Sequence, residues 1–183
     1  MNMAQGARCK VRGARVKGTG EKVLCVLCVL CTLHLSPLTF HRAVEAAEIV
    51  IYGFEEGLEG WAIPDWAQTS SDYVGKEVSV STDKAEEGHS AMKMWAVFPG
   101  GRWTGAYVER SVEVTDWTPF GQLSVSVYVP AVAPAGLKGR IILTVGDDWR
   151  WTEMNRAIPL TPGEWTTITA NLTPASMDWK FFP

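Results

Sequence analysis

The chain has 183 residues, nine of them tryptophan, and a formal net charge of −3. The charge is divided unevenly, because residues 48–183 hold ten Lys and Arg against eighteen Asp and Glu, a balance of −8. An acidic segment of this kind is a poor partner for nucleic acid or for an anionic membrane, so we expect neither. About 136 residues are enough for one domain with a two-layer core.

The N-terminal segment has the organisation of a secretory signal peptide. Residues 1–22 carry six basic side chains against one acidic one, and an apolar run follows from Val23 to Leu33. Small residues around Ala46 suit a cleavage site, so we expect residues 1–46 to be removed. A membrane anchor is the alternative, but the apolar run is shorter than the roughly 20 residues that a spanning helix needs. We therefore predict a secreted domain of residues 47–183.

All four cysteines lie in this leader, at positions 9, 25, 28 and 31. The C-x-x-C-x-x-C spacing of the last three falls within the apolar run, where a metal or iron–sulfur site is not expected. The predicted secreted domain therefore has no cysteine, and its core, not disulfides, must hold it together.

Seven short runs in the remaining chain have the residue pattern of β-strands. Each is rich in β-branched or aromatic residues or alternates apolar with polar side chains, and Gly, Pro or polar turns separate them. They span residues 48–52, 77–81, 91–98, 103–114, 123–129, 140–145 and 165–172. We find no amphipathic helical window of useful length and no internal repeat. This order predicts an all-β fold, specifically an antiparallel β-sandwich.

The stretch Ala91–Val112 places aromatic and acidic side chains in a row. Pro99–Gly101 predicts a turn between two extended runs that pair as a hairpin. In the second run Trp103, Tyr107 and Glu109 share a face, because successive strand side chains alternate. Such a row suits a sugar, whose C–H face stacks on aromatic rings while its hydroxyls bond to polar groups.

A second aromatic group lies nearer the C-terminus. Trp149 and Trp151 share a face with Asp147 and Glu153, and Arg150 points to the other side of the same extended segment. These five residues form a second candidate carbohydrate-binding surface, with the alternative that one of the two tryptophans is a core residue.

The other tryptophans divide by their surroundings. Trp66 follows Pro64-Asp65 in a loop, where packing explains a large ring less readily, so it is a further candidate for carbohydrate binding. Trp61, Trp117 and Trp165 lie beside Gly or Pro at strand ends, and we interpret them mainly as core or corner-packing residues.

Three motifs carry a resemblance to a known family. They are Phe54-Glu55-Glu56-Gly57 with Gly60-Trp61, Gly88-His89-Ser90-Ala91-Met92-Lys93, and Pro162-Gly163-Glu164-Trp165-Thr166. In order and spacing they resemble the β-jelly-roll carbohydrate-binding modules of secreted polysaccharide-degrading enzymes, most of all the mannan-binding kind, from Ile49 to the C-terminus. The resemblance implies a galactose-binding-like jelly roll beside a catalytic domain in a longer chain. Because the family's last strand is not found before Pro183, it also implies a C-terminally truncated domain.

The resemblance further implies a structural calcium ion. It places Glu55 beside the ion, with backbone carbonyls around residues 88–90 as further ligands, and mixed oxygen ligands of this kind suit calcium. The alternative is that Glu55 is a solvated turn residue. The acidic ligand that the family's last strand supplies has no counterpart before Pro183.

Two other classes of function compete with glycan binding. A glycoside hydrolase needs two carboxylates at a defined separation, but the E-x-D-x-x-E and G-x-S-x-G signatures are missing and His89 is the one histidine after the leader. An extracellular protein-interaction or adhesion domain uses exposed tryptophans as readily as a glycan-binding domain does. We expect non-catalytic binding of a β-linked polysaccharide of the mannan, glucan or xylan type, which directs an attached glycoside hydrolase to its substrate.

Overall fold

The computed structural model describes residues 2–13, 48–112, 117, 120–146, 150–172 and 178–181. These residues form strands and one helical turn, so the predicted all-β class is confirmed. The strands are β1 (Asn2–Gly13), β2 (Glu48–Tyr52), β3 (Gly75–Ser81), β4 (Ala91–Ala96), β5 (Phe120–Tyr128), β6 (Lys138–Gly139), β7 (Ile142–Val145), β8 (Arg150–Met154), β9 (Ile158–Pro159), β10 (Trp165–Asn171) and β11 (Trp179–Phe181), and the helical turn is α1 (Asp65–Gln68). Among the described residues, no helix has the length and apolar character to cross a membrane.

The strands pair antiparallel in three small sheets. The largest has the order β10-β5-β1-β4-β3, and β2 lies alongside β1. A second sheet has the order β11-β8-β7, and a third pairs β6 with β9. The first two sheets supply the side chains of the main core.

Strand β5 has the alternation that its sequence predicts. Leu123 and Val125 contribute to the core, and across the sheet they oppose Ala170 and Ile168 of β10. Between them Ser124 points to the other face, because side chains alternate along a strand. Ser124 and Ser126 on that other face are also buried, at 4% and 1% exposure, so the sequence pattern predicts the strand but not that both of its faces are covered.

The main core joins the two larger sheets. Tyr52, Phe54, Met92 and Leu123 are each at most 4% exposed, and Leu143 of β7 packs against them. A second cluster around Met154 and its neighbours Ile168 and Ala170 extends this apolar interior towards β10. Burial of these side chains is the main term that stabilises the fold.

A tight turn after β2 anchors the segment that follows Tyr107. Phe54 and Glu59 have left-handed φ angles of 63° and 49°, and the Phe54 N–H donates to Oε1 of Glu59 at 2.5 Å. Arg110 donates to the backbone oxygen of Glu59, and its guanidinium lies 4.5 Å from the ring centre of Tyr52. Because Arg110 is fixed in this way, the neighbouring residue Glu109 is also held in place.

The predicted hairpin across Pro99–Gly101 does not form. Strand β4 ends at Ala96 and pairs with β1 and β3, whereas residues 103–112 form only isolated bridges, at Gly105 with Tyr73 and at Glu109 with Ala62. Gly105 and Glu109 of the second run exchange backbone hydrogen bonds with the segment 62–74, a pairing that local turn signals do not predict.

Strand β1 belongs to the segment that the sequence identifies as a leader. It pairs with β5 on one side and with β4 and β2 on the other. The division into a signal peptide of residues 1–46 and a mature domain of 47–183 stays a prediction. Cleavage there would take away the strand that joins β4 to β5.

Candidate functional site

Trp66 is presented on the single turn of helix α1. Pro64, at the N-cap, has an extended backbone, and its carbonyl accepts the N–H groups of Ala67 and Gln68. The Ala67 side chain is fully buried and ties the turn to the domain, while the Trp66 side chain stays 47% exposed. A proline followed by a short polar turn therefore places a large ring at the surface.

Three other rings continue from Trp66 across the surface. The Trp66 ring centre lies 5.3 Å from that of Tyr107 and 5.9 Å from that of Trp151. Tyr107 stacks on Tyr73 with the planes inclined by 18° and the centres 6.1 Å apart. We call Trp66, Tyr73, Tyr107 and Trp151 the aromatic platform.

The platform is assembled from three separate parts of the chain. The bridge between Ala62 and Glu109 closes with two backbone hydrogen bonds of 3.1 and 2.9 Å, and Gly105 bonds similarly to the segment that contains Tyr73. Trp151 comes from β8, where the next residue, Thr152, is 2% exposed and points to the opposite face. Strand alternation thus turns Trp151 and Glu153 towards the platform.

Charged side chains surround the rings. The indole Nε1 of Trp66 donates to Oε2 of Glu109 at 3.2 Å. Arg140 forms an ion pair of 2.6 Å with Glu153. Arg102 lies 3.9 Å from Asp72, and it also donates to the Ser71 carbonyl.

The two tyrosines of the platform are held in their protonated form. Burial raises the pKa of Tyr107, Asp72 and Glu153 raise it further, and Arg140 opposes them. Burial also raises the pKa of Tyr73, whose hydroxyl lies 3.5 Å from the backbone oxygen of Tyr107. Both phenols are therefore neutral at physiological pH, with hydroxyls that can donate and accept hydrogen bonds.

The structure brings together five residues that the sequence singled out in separate stretches. Trp66, Tyr107, Glu109, Trp151 and Glu153 lie on or around the platform. Their assembly depends on contacts between distant segments, so the sequence indicated the residues but not that they form one surface.

The remaining candidates lie elsewhere or are not described. Trp103 is 69% exposed, and within the described part of the chain its ring contacts no other aromatic ring. Arg150 is exposed on the other side of β8, as strand alternation predicted. Asp147 and Trp149 lie outside the described residues, so their role in carbohydrate binding stays a prediction.

Sequence reasoning missed Tyr73 and Arg140. Tyr73 comes at the end of a polar stretch before β3, and Arg140 precedes an apolar strand, so neither stood out by its pattern. For Tyr73 the available signal was an aromatic residue in a loop segment, the same signal that selected Trp66.

Glu55 contacts the segment around Gly88–Ser90 directly, and it does so through backbone N–H groups and not through the carbonyls that the resemblance implies as calcium ligands. Its Oε1 accepts the backbone N–H groups of His89 and Ser90 at 3.0 and 3.2 Å, and Oε2 lies 3.8 Å from Nδ1 of His89. Calcium prefers six to eight oxygen ligands. Among the described residues no group of three or more His, Cys, Asp and Glu side chains is placed to hold a metal ion. One carboxylate supplies only part of such a set, and the calcium site stays a prediction.

Comparison with known proteins adds no assignment to this geometry. No protein-family model matches the chain, and neither a curated protein nor a solved structure is significantly similar to it.

Proposed function

We propose that this protein is a secreted, non-catalytic carbohydrate-binding module with a β-sandwich of the jelly-roll type. It binds a β-linked polysaccharide of the mannan, glucan or xylan type on the aromatic platform. In a longer chain it would keep an attached glycoside hydrolase close to its substrate and so raise the local substrate concentration.

The packing of the sheets supports the sandwich. Met92 and Leu123 of the six-stranded sheet share one core with Leu143 of the three-stranded sheet, as two sheets stacked face to face would do. The second cluster adds Met154 of β8 to Ile168 of β10 in the same manner.

The platform itself is the observation that carries the proposal. Four rings from distant segments lie within 5.3 to 6.1 Å of their neighbours, and the first of them, Trp66, is 47% exposed. A surface ring that is fixed by other rings can stack on the C–H face of a sugar with little loss of side-chain entropy.

The polar rim suits the hydroxyl groups of a sugar. The carboxylates of Glu109 and Glu153 are acceptors, and the guanidinium of Arg140 and the hydroxyl of Tyr107 are donors. A few such groups around an apolar surface orient a ligand and provide specificity.

The contacts of the Glu109 and Glu153 carboxylates favour binding without cleavage. Oε1 of Glu153 accepts from Arg140 at 2.6 Å, and Oε2 of Glu109 accepts from Trp66. Glu109 thus holds the Trp66 ring and Glu153 is neutralised by Arg140, whereas a glycosidase would use one carboxyl group as acid and the other as nucleophile or base.

Affinity electrophoresis of the full chain tests the proposal. Native gels that contain mannan, glucan or xylan are compared with a gel without polysaccharide, and an unrelated protein of similar charge is the control. We expect retardation in at least one gel, and free migration of a folded chain in all of them would overturn the proposal and favour a protein partner.

A further inference from the structure

From the charges around the platform, and resting on the proposed function, we infer that this surface selects uncharged polysaccharides and rejects polyanionic ones. Asp65 and Glu109, which flank Trp66, would be the residues that set this preference.

One carboxylate contacts the most exposed ring of the platform, and the other belongs to the helical turn that carries this ring. Glu109 contacts the Trp66 indole nitrogen at 3.2 Å, and Asp65 precedes Trp66 as the first residue of α1. Both side chains are exposed, and the partners that the structure gives them are neutral, since Oδ1 of Asp65 accepts from Nε2 of Gln68 at 3.4 Å. In the part of the chain that the structure describes, neither forms an ion pair.

The arginines beside the platform do not offset these two charges. Arg140 is paired with Glu153 at 2.6 Å, and Arg102 lies 3.9 Å from Asp72. Each of these cations therefore has its own carboxylate. Among the described residues, Asp65 and Glu109 are the carboxylates near Trp66 that these ion pairs leave uncompensated.

Two uncompensated carboxylates act differently on the two kinds of polymer. A neutral glycan brings hydroxyl groups, which donate hydrogen bonds to carboxylates. A polyuronate or carboxymethylated glycan brings negative charge to within a few ångströms of the same oxygens. The resulting repulsion is screened over about 8 Å at physiological ionic strength, so it acts at contact and weakens when salt is added.

The test compares a neutral polymer with its own carboxymethyl derivative. Hydroxyethylcellulose is compared with carboxymethylcellulose, and galactomannan with carboxymethylated galactomannan, at low and high salt. The readout is the ratio of the two affinities for the full chain. We expect the anionic polymer to bind about tenfold more weakly at low salt, and the difference to shrink at about 0.5 M salt, where the screening length falls to a few ångströms.

Substitutions that keep the shape of the side chain but remove its charge show which residues weaken the binding of the anionic polymer. Asp65→Asn and Glu109→Gln remove charge but keep an acceptor oxygen, and together they should bring the ratio close to one at low salt. Glu86→Gln with Glu164→Gln removes the same charge at exposed positions outside the platform and should leave the ratio unchanged.

Three results would overturn the inference. Equal binding of both polymers by the unaltered chain would show that there is no charge selection, although the proposed function would stand. If the control variant also brings the ratio of the two affinities close to one, the effect belongs to the net charge of the protein and not to these two residues. Failure to bind any neutral polymer would remove the proposed function, and the charge selection with it.

Discussion

Trp66 and Glu109 lie 43 residues apart in the chain, yet the indole Nε1 of one donates to Oε2 of the other at 3.2 Å. This contact joins a single helical turn to a segment that forms no regular strand, and it fixes the plane of the most accessible ring in the platform. Under the proposed function, Glu109 would therefore act on a bound glycan through Trp66 as well as directly.

Truncating Glu109 should weaken glycan binding by releasing the Trp66 ring. We expect Glu109→Ala to cost about 1 kcal/mol, the usual value of one hydrogen bond, and to shift the tryptophan fluorescence of the free protein. Glu109→Gln keeps an acceptor and should retain most of the affinity and the original spectrum. Equal losses in the two variants would show that the charge, and not the position of the ring, matters for a neutral glycan.

Phe54 should be one of the side chains on which the fold depends most. It is 1% exposed and lies against Trp61 at a ring separation of 6.5 Å. Replacing it with alanine should lower the free energy of unfolding by about 3 to 5 kcal/mol, and Phe54→Leu should cost less because it leaves a smaller cavity. Urea denaturation measures both. A loss below about 1 kcal/mol for the alanine variant would contradict this core assignment.

Tyr73 and Tyr107 of the platform should ionise at a higher pH than an ordinary tyrosine. Their folded pKa values are raised, and an unfolded tyrosine titrates near about pH 10. The stability that they contribute is therefore fully present below about pH 10 and is lost as the pH rises through the folded pKa. Absorbance at 295 nm should show a late phase that Tyr107→Phe reduces. Ionisation of the tyrosines in one step near about pH 10, with no late phase, would contradict the raised values.

Glu55 should stabilise the segment that leads into β4, with or without a metal ion. Glu55→Ala removes the acceptor for the N–H groups of His89 and Ser90, and should cost about 1 kcal/mol for each bond lost. Glu56→Ala, at an exposed neighbouring position, is the control and should cost little.

The same pair of variants tests the calcium expectation. If Glu55 is a ligand, the melting temperature should rise with calcium over EDTA at constant ionic strength, because an ion that binds only the folded state stabilises it. The increase should be absent in Glu55→Ala and retained in Glu56→Ala. An unchanged melting temperature in the unaltered chain would contradict a stabilising calcium ion.

Removal of the predicted leader should expose strand edges. Strand β1 lies between β5 and β4 and pairs with both. In a chain that starts at Ala47, β4 and β5 would each lose this partner strand. Unpaired edges favour association between molecules, and we expect residues 47–183 to be less stable and more prone to associate than the full chain. Size exclusion and thermal melting of the two chains decide this, and identical behaviour would show that β1 contributes nothing to the sheet.

Local patterns predicted six of the described strands, but the predicted strand over residues 103–114 does not form, strands such as β1 and β8 were not predicted, and strand partners were predicted poorly. The alternation from Leu123 to Val127 identified β5, because one strand already contains that information, but not that Ser124 and Ser126 on its other face are buried as well. The turn at Pro99–Gly101 suggested a hairpin, but the run after it bonds to residues 62–74. Which strand lies beside which is decided by contacts between segments far apart in sequence.

The candidate site divides in the same way. Trp66, Tyr107 and Trp151 were identifiable as aromatic residues in turns or on faces with polar neighbours. That their rings meet depends on the folding of three segments, so the surface could not be read from spacing. Tyr73 carries the same signal as Trp66, an aromatic residue in a loop segment, but that signal alone did not select it.

The most direct test of the account is the glycan affinity of Trp66→Ala. In the polysaccharide gel that retards the unaltered chain most, this variant should lose about 1 to 3 kcal/mol of binding, as other stacking rings do. Its melting should remain cooperative, because the ring is half exposed, with only a small shift from the lost contacts to Tyr107, Trp151 and Glu109. Trp165→Ala, whose ring packs on Tyr128 instead, should keep its retardation if it folds. Loss of retardation in Trp66→Ala alone is the predicted result, and unchanged retardation in a folded Trp66→Ala would contradict a binding surface centred on the platform.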